Sequence, residues 1–560
     1  MASIRSRCSM PVPKPASDVE GEILQFFCES DPSTAFTAGF NDYAGRLFIP
    51  STKNRDKFAR RLEELRLRAE NESQLKALDS FGAIYTLGEP QQIPETVLGS
   101  YFVYLIKEGI VPPHLRRLTK NAIKVMQTAV DEKSGINWPI GLRLLTLIRC
   151  DGLQEIVRTI RKETSDKQLQ SEIDDLIELT KKYASLFRVK GFKNQGFEEV
   201  YKIIRKQGAG LGREKVYAQS LRRLWDYPES PEEVEAKGLE YLNKELPRFK
   251  RLTARLAKKY KVSARAEAVA EAMKKERSIK AAEVVPFLNG LRKHAVKVTN
   301  KNVVGINRKY DARVIETPLY LSGIVPSGAA YSFDFFTNNP KTLFMATTDP
   351  RRDPHSIPGE LLNLLVHEEY GHCLHASNSA NAYAYKPTVT DLLWSPLGAM
   401  SEGISFQREL EFQNVIDKLK SRKGLDRDEK ALVSFFEQHG GFERVAEEYE
   451  FFTWMWRIVR FLRVIGDARI NSGKQDLASF IEWGNKTTGL SKSMVYHQLF
   501  PAHQGIGPGY ATTYAIIGES IRQIQNKALR SGKKLRDFNS YACSMGFPAR
   551  TIFEERLRQF

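Results

Sequence analysis

The chain has 560 residues, 42% of them hydrophobic and 27% charged, which is the make-up of a soluble globular protein long enough to bury a large core. No apolar run approaches the ~18 residues that span a bilayer, and five cysteines, odd in number and without a C-x-x-C pair, argue against a disulfide framework and a thiolate zinc site. The formal charge of +18 is spread among acidic residues, as in DKFARRLEELRLRAE, so it reads as solvated helix faces, and neither a specific nucleic-acid partner nor a membrane partner is expected.

In chain order, residues 1–20 carry basic residues but no apolar segment of secretory-signal type and are read as a flexible leader. A reducing cytoplasm is the expected location. Residues 21–300 show helical periodicity, as in the stretches 56–70, 171–187 and 264–298, and form a first, helical domain. Residues 301–560 form the second. It opens with a small sheet over 311–349, where ARVIETP, SGAAYSFDFF and TLFMATT are short, β-branched or aromatic, and separated by Gly, Pro and Asn. After the turn-forming DPRRDPHSIPGE come helices near 360–378, 392–422, 441–468 and 509–530. The fold class is mainly α, with one small β-sheet before the helix that carries HEEYGH.

That helix holds the chemistry. Its entry is apolar on nearly all sides (Leu361, Leu362, Leu364, Leu365, Val366), so His367, Glu368 and His372 sit in a buried element. Histidine is the commonest zinc ligand, and Glu368 beside the first one suits a base toward water on a metal. The two histidines are five positions apart rather than the usual four. At ~100° per residue their rings would diverge by about 140° on a regular α-helix. Gly371 permits the backbone to widen by one residue into a π-bulge and bring both rings to one ion. An E-x-x-H pair, Glu369 with His372, would suit a di-iron bundle, but no second E-x-x-H exists to complete one.

A catalytic zinc needs a third protein ligand and an open position. AMSEGISFQREL offers Glu402, with Asp391, Glu409 and Glu411 as competitors; the small residues around Glu402 favour it, and Glu409 suits a carboxylate that orients a ligand histidine. QLFPAHQGIGPGYATTYAII brings His503, Tyr510 and Tyr514 on a Gly-rich loop, where a phenol or a protonated imidazole can donate to an oxyanion. The strand in SGAAYSFDFF, with Tyr331, is placed to align an extended peptide.

HEEYGHCLH, SEGISFQREL and GPGYATTYAIIGESIRQIQNKAL resemble the motifs of the domain-of-unknown-function 885 family, read as zinc metallopeptidases: H-E-x-Y-P-G-H-H-L-Q, E-G-W-A-L-Y-x-E and P-G-Q-A-x-x-Y. The resemblance implies His367 and His372 as zinc ligands, Glu368 as catalytic base, Glu402 as third ligand and Tyr514 as the tyrosine of the last motif. This chain lacks the proline before Gly371, carries Glu369 where an uncharged residue is commoner, and has Tyr510 in place of Gln; its five-residue spacing is similar to the H-E-x-x-G-H of dipeptidyl peptidase III. HEEYGHCLH and FPAHQGIGPGYATTY also resemble H-E-F-G-H-A-L-H and F-x-H…G-Y-x-x-x-Y of the thimet-oligopeptidase group. That likeness implies a gluzincin-type helical fold with a deep channel, residues 21–300 forming one wall, and site roles for His503, Tyr510 and Tyr514. The expected activity is peptide hydrolysis with one Zn2+ per chain and a peptide substrate; the alternative is a non-catalytic helical scaffold with a structural metal. Oligomeric state is left open by the sequence.

Overall fold

The computed structural model describes residues 14–560 apart from 134, 194–195, 322–324, 326, 350–354 and 394–395. Helices dominate, and their starts are set by side chains that accept from orphan backbone N–H groups. The helix Pro231–Tyr260, for example, begins with a capping box between Ser230 and Glu233 and a proline in its first turn. The expected helices at 56–70 and 171–187 are Thr52–Arg68 and Lys167–Ser185. The stretch 264–298 is two helices, Ala266–Glu276 and Ala281–Asn302, because the chain turns extended at Arg277 and donates from Ile279 N to Ser356 O at 2.7 Å.

Two boundaries differ from expectation. The leader ends earlier than residue 20: Ser17 caps a helix at Asp18–Ser30, and Glu20 in its first turn accepts from Thr390 N (2.9 Å) and Thr390 Oγ1 (3.0 Å). Residues 1–13 of that leader lie outside the described residues. The helix expected over 392–422 starts only at Met400 and runs to Lys420, preceded by the single turns Val389–Leu392 and Pro396–Ala399. Pro396 and Gly398 delay it, since neither favours a helix interior.

The sheet has three strands, β1 (Ala312–Glu316), β2 (Gly328–Phe333) and β3 (Lys341–Ala346), in the order β1-β3-β2. β1 pairs parallel to β3, and β2 pairs antiparallel to it with Ala330 opposite Phe344. β2 is therefore an edge strand. The turn expected between sheet and metal helix falls partly outside the described residues, at 350–354.

The helix Phe442–Asn471 is buried on almost every side and lies at the centre of the molecule. It packs along Pro231–Tyr260, Pro358–Leu365 and Met400–Lys420. One apolar core, reaching from Ala83 to Leu557, thus runs across residue 300 without a break. A second core lies among the helices between Val97 and Phe187. No described helix is long and apolar enough to cross a membrane.

Candidate metal centre

The helix entering the motif is α-helical over Pro358–Leu365, becomes π-helical over Val366–Cys373 and returns to α over Leu374–Ala380. Leu374 N donates to Glu369 O, five residues back. Five-residue bonding brings residues five apart to one face. The rings of His367 and His372 accordingly lie 5.1 Å apart, at 78° to one another. Close packing holds the widened turn in place: a Cβ on Gly371 would meet Ser405 Cβ at 2.6 Å and Ser405 Cα at 2.7 Å, on the next helix. Gly371→Ala is expected to lose about 1–3 kcal/mol by overpacking, because backbone cannot rotate away. A lower denaturation midpoint at unchanged m-value is the check.

That close approach delivers Glu402. Its Oε2 lies 3.6 Å from His367 Nε2 and 3.3 Å from His372 Nε2, and the three ligand atoms fall within 4.8 Å of one another. The other nitrogen of each ring is occupied. His367 Nδ1 faces Glu409 Oε1 at 2.7 Å, and Arg460 in turn donates to Glu409 Oε2 at 2.8 Å. His372 Nδ1 faces Ser401 Oγ at 3.1 Å, whose own proton goes to Gly398 O at 2.9 Å. Both rings are thereby held with N–H at Nδ1 and a lone pair at Nε2. Glu402 Oε2 is buried without a hydrogen-bond partner.

Three lone pairs converging on one buried point repel unless a cation, or a proton, lies between them. Burial opposes charge on His367, yet Glu402 and Glu409 raise its pKa to about 9. Burial likewise opposes charge on Glu402, but His372 and His367 hold its carboxyl well below the usual range. Two imidazole nitrogens and one carboxylate oxygen are the donor set of a catalytic zinc, so the residues present fit the ion.

Glu368 points to the sheet: its Oε2 accepts from Ala330 N, on the outer edge of β2, at 2.8 Å. Its Oε1 has no hydrogen bond among the described residues. Tyr331, next along β2, has its hydroxyl 3.3 Å from Thr37 Oγ1 and its ring against Phe102. Glu369, which follows Glu368, turns the other way and is fully buried; Arg292 Nε donates to it at 2.6 Å and the Tyr310 hydroxyl at 3.1 Å. Its charge is therefore answered outside the cluster. His375 bonds Gly546 O at 2.6 Å, and burial lowers its pKa to about 4, so it is a neutral core residue.

The loop after Phe500 completes the surroundings. Tyr510 donates to Glu402 Oε1 at 3.0 Å, and its hydroxyl is 3.5 Å from that of Tyr514, whose ring stacks beside His367 at 6.5 Å. Burial, and then the nearby Glu402, raise the pKa of both phenols, so both keep their protons. His503 lies against both rings at 5.6 Å. Burial and Arg463 hold its imidazole well below the usual range, which favours the phenols over a protonated imidazole as the donor. Buried Asp467 accepts from Gln504 Nε2 (2.6 Å) and Gly509 N (3.0 Å) and so clamps both ends of the loop. Gly505 and Ile506 of that loop also line a cavity of about 390 Å³ among the first helices, walled by Leu47, Phe81, Ile84 and Ile93.

A scan against protein-family models returns no match, and a search of curated proteins returns none. Solved structures do match. A "putative lipoprotein" from Colwellia psychrerythraea aligns over 97% of this chain and 98% of its own, with a TM-score of 0.63 at 13% identity. A "putative lipoprotein of unknown function" from Shewanella oneidensis aligns over 97% and 100%, with a TM-score of 0.62 at 14% identity. The likeness is one of fold. PZ peptidase A with inhibitor 2 aligns over 100% of this chain and 95% of its own, at a TM-score of only 0.37 and 11% identity.

Of the competitors for third ligand, Asp391 caps the turn Val389–Leu392 and pairs with Arg556, Glu411 pairs with Arg408, and Glu409 stands behind His367. Sequence reading missed Arg460, Ser401, Arg292 and the Ala330 N–H. Arg460 left a signal: WRIVRFLR repeats arginine every third residue inside an otherwise apolar helix, and a buried charge calls for a partner.

Proposed function

We propose that this protein is a zinc-dependent peptidase of zincin-like helical fold. The reading is carried by the Nε2 lone pairs of His367 and His372 converging on the orphaned Glu402 Oε2, with Glu368, the residue after His367, fixed through its Oε2 by Ala330 N. A zinc ion held by these three residues would supply Lewis acidity to a water and to a peptide carbonyl.

Glu368 takes the proton of the attacking water at Oε1, while Ala330 N fixes Oε2, and then passes it to the leaving amine nitrogen. Tyr514, protonated and next to His367, donates to the oxygen of the attacked carbonyl. Tyr510 orients Glu402 through its 3.0 Å bond, and His503 packs against both rings. The outer edge of β2 gives an extended peptide a backbone to pair with beside Glu368. A cytoplasmic location is supported by Cys28, Cys150, Cys373 and Cys543, all buried free thiols.

Metal analysis of purified protein is expected to find one zinc per chain, and a peptide pool followed by mass spectrometry is expected to show cleavage that a chelator stops. Zinc without cleavage would favour the structural-metal scaffold. Cleavage untouched by chelator would overturn the metal reading.

A further inference from the structure

Arg457, Arg460 and Arg463 follow one another along the central helix, and all three are buried. Arg457 is paired with Glu519 and Arg460 with Glu409. Arg463 is the exception. Its side chain is buried with no carboxylate within 4.0 Å among the described residues, although an unpaired buried charge is costly and commonly retained where a binding partner answers it.

Its setting is ordered. Nε donates to Gln498 O at 3.0 Å and Nη2 to the Gln498 side chain, which fixes the plane of the guanidinium; Nη1 has no partner in the described protein. The guanidinium carbon lies 4.8 Å from the centre of the Tyr514 ring, the ring that stacks beside His367. Its charge acts on Glu402, Tyr510 and Tyr514. Burial brings its pKa down to about 10, which leaves it a cation at neutral pH.

A guanidinium held on one edge, with neither a hydrogen-bond partner at Nη1 nor a carboxylate within 4.0 Å among the described residues, is prepared for an anion, and its planar fork suits a carboxylate. Tyr510 is bonded to Glu402, and Tyr514, the ring beside Arg463, serves the reacting carbonyl in the proposed mechanism, so the anion Arg463 awaits is a different group of the substrate. We propose that Arg463 receives a carboxylate of the bound peptide, either its C-terminal group or an acidic side chain, and so makes the site prefer acidic peptides. The proposal rests on the peptidase reading for its substrate, but it is tested separately by binding.

The probes are one peptide as C-terminal acid, the same as C-terminal amide, and the amide with a single Gln changed to Glu at successive positions. Zinc-loaded Glu368→Gln protein measures their Kd without turnover, and the parent protein measures kcat/KM. The acid, or one Glu-containing amide, is expected to bind about 10–100-fold more tightly than the plain amide, as for a charge-assisted hydrogen bond. Preference for the acid assigns the terminal group; preference for one Glu position assigns a side chain. Arg463→Met is expected to bring that ratio near one, with Arg463→Lys between. Equal Kd for all three probes in the arginine-containing protein, a comparison that needs no Arg463 variant, overturns the proposal. So does an Arg463→Met protein that keeps the ratio. Discrimination in binding with no cleavage by the parent protein would instead overturn only the peptidase reading.

Discussion

Glu368→Gln is expected to hold zinc as well as the parent protein and to hydrolyse peptides about 10²–10⁴-fold more slowly, the usual contribution of a positioned general base. Glu368 is not among the converging ligand atoms, which are His367 Nε2, His372 Nε2 and a Glu402 oxygen, so metal content is untouched. The amide of glutamine keeps an oxygen for the Ala330 N–H but has no basic atom to take a proton from water. KM should change little, since the carboxylate acts on the water rather than on peptide binding. Metal analysis and steady-state kinetics on the same preparation check this. Unchanged kcat would remove Glu368 from the mechanism, and joint loss of zinc and activity would make it a structural support.

Arg292→Ala is expected to destabilise the protein by about 3–5 kcal/mol, the cost of leaving a buried charge without its partner. Glu369 is fully buried, and the guanidinium of Arg292 is its only cation among the described residues, with the Tyr310 hydroxyl as a second donor. Burial already raises the Glu369 pKa, and Arg292 opposes that rise. Without Arg292 the folded-state pKa climbs further above the unfolded value of about 4.3. A raised carboxyl pKa means the folded state binds its proton more tightly, so the deficit is largest at neutral pH and shrinks as pH falls toward the unfolded value. Denaturant melts of parent and variant between pH 4 and 8 check both sign and size. The double change Arg292→Leu with Glu369→Leu should recover much of the loss, because it removes the stranded charge along with its partner. A deficit below about 1 kcal/mol at pH 7 would show that the pair is solvated rather than buried.

His367, Glu368, His372 and the irregular turn between the histidines were legible in HEEYGH alone. The five-residue spacing demands a wider turn if both rings are to meet one ion, and Gly371 is the residue that admits it; the π-helix over Val366–Cys373 is that turn. Glu402 was chosen for the small residues around it, and the contact between Gly371 and Ser405 on its helix is the close approach those residues allow. The helix boundaries were less legible. Residues 277–280 carry no proline or glycine, and their break comes from a backbone bond to Ser356, a partner outside the local window. The state of His503 also needed the fold, since a neutral imidazole follows from burial beside Arg463.

By itself the sequence determined the elements whose causes are local: amphipathic helices, a small sheet of two or three short strands, and a histidine pair with a carboxylate between them on one turn. These follow from periodicity, capping and backbone freedom within a few residues. Only the tertiary structure decided how the charges are shared out. It set Arg460 behind Glu409, turned Glu369 away to Arg292 from 77 positions earlier, and left Arg463 beside Tyr514 without a carboxylate within 4.0 Å among the described residues. The physical reason is that burial makes every charge seek a partner, and which partner is in reach depends on how helices cross, not on their spacing along the chain.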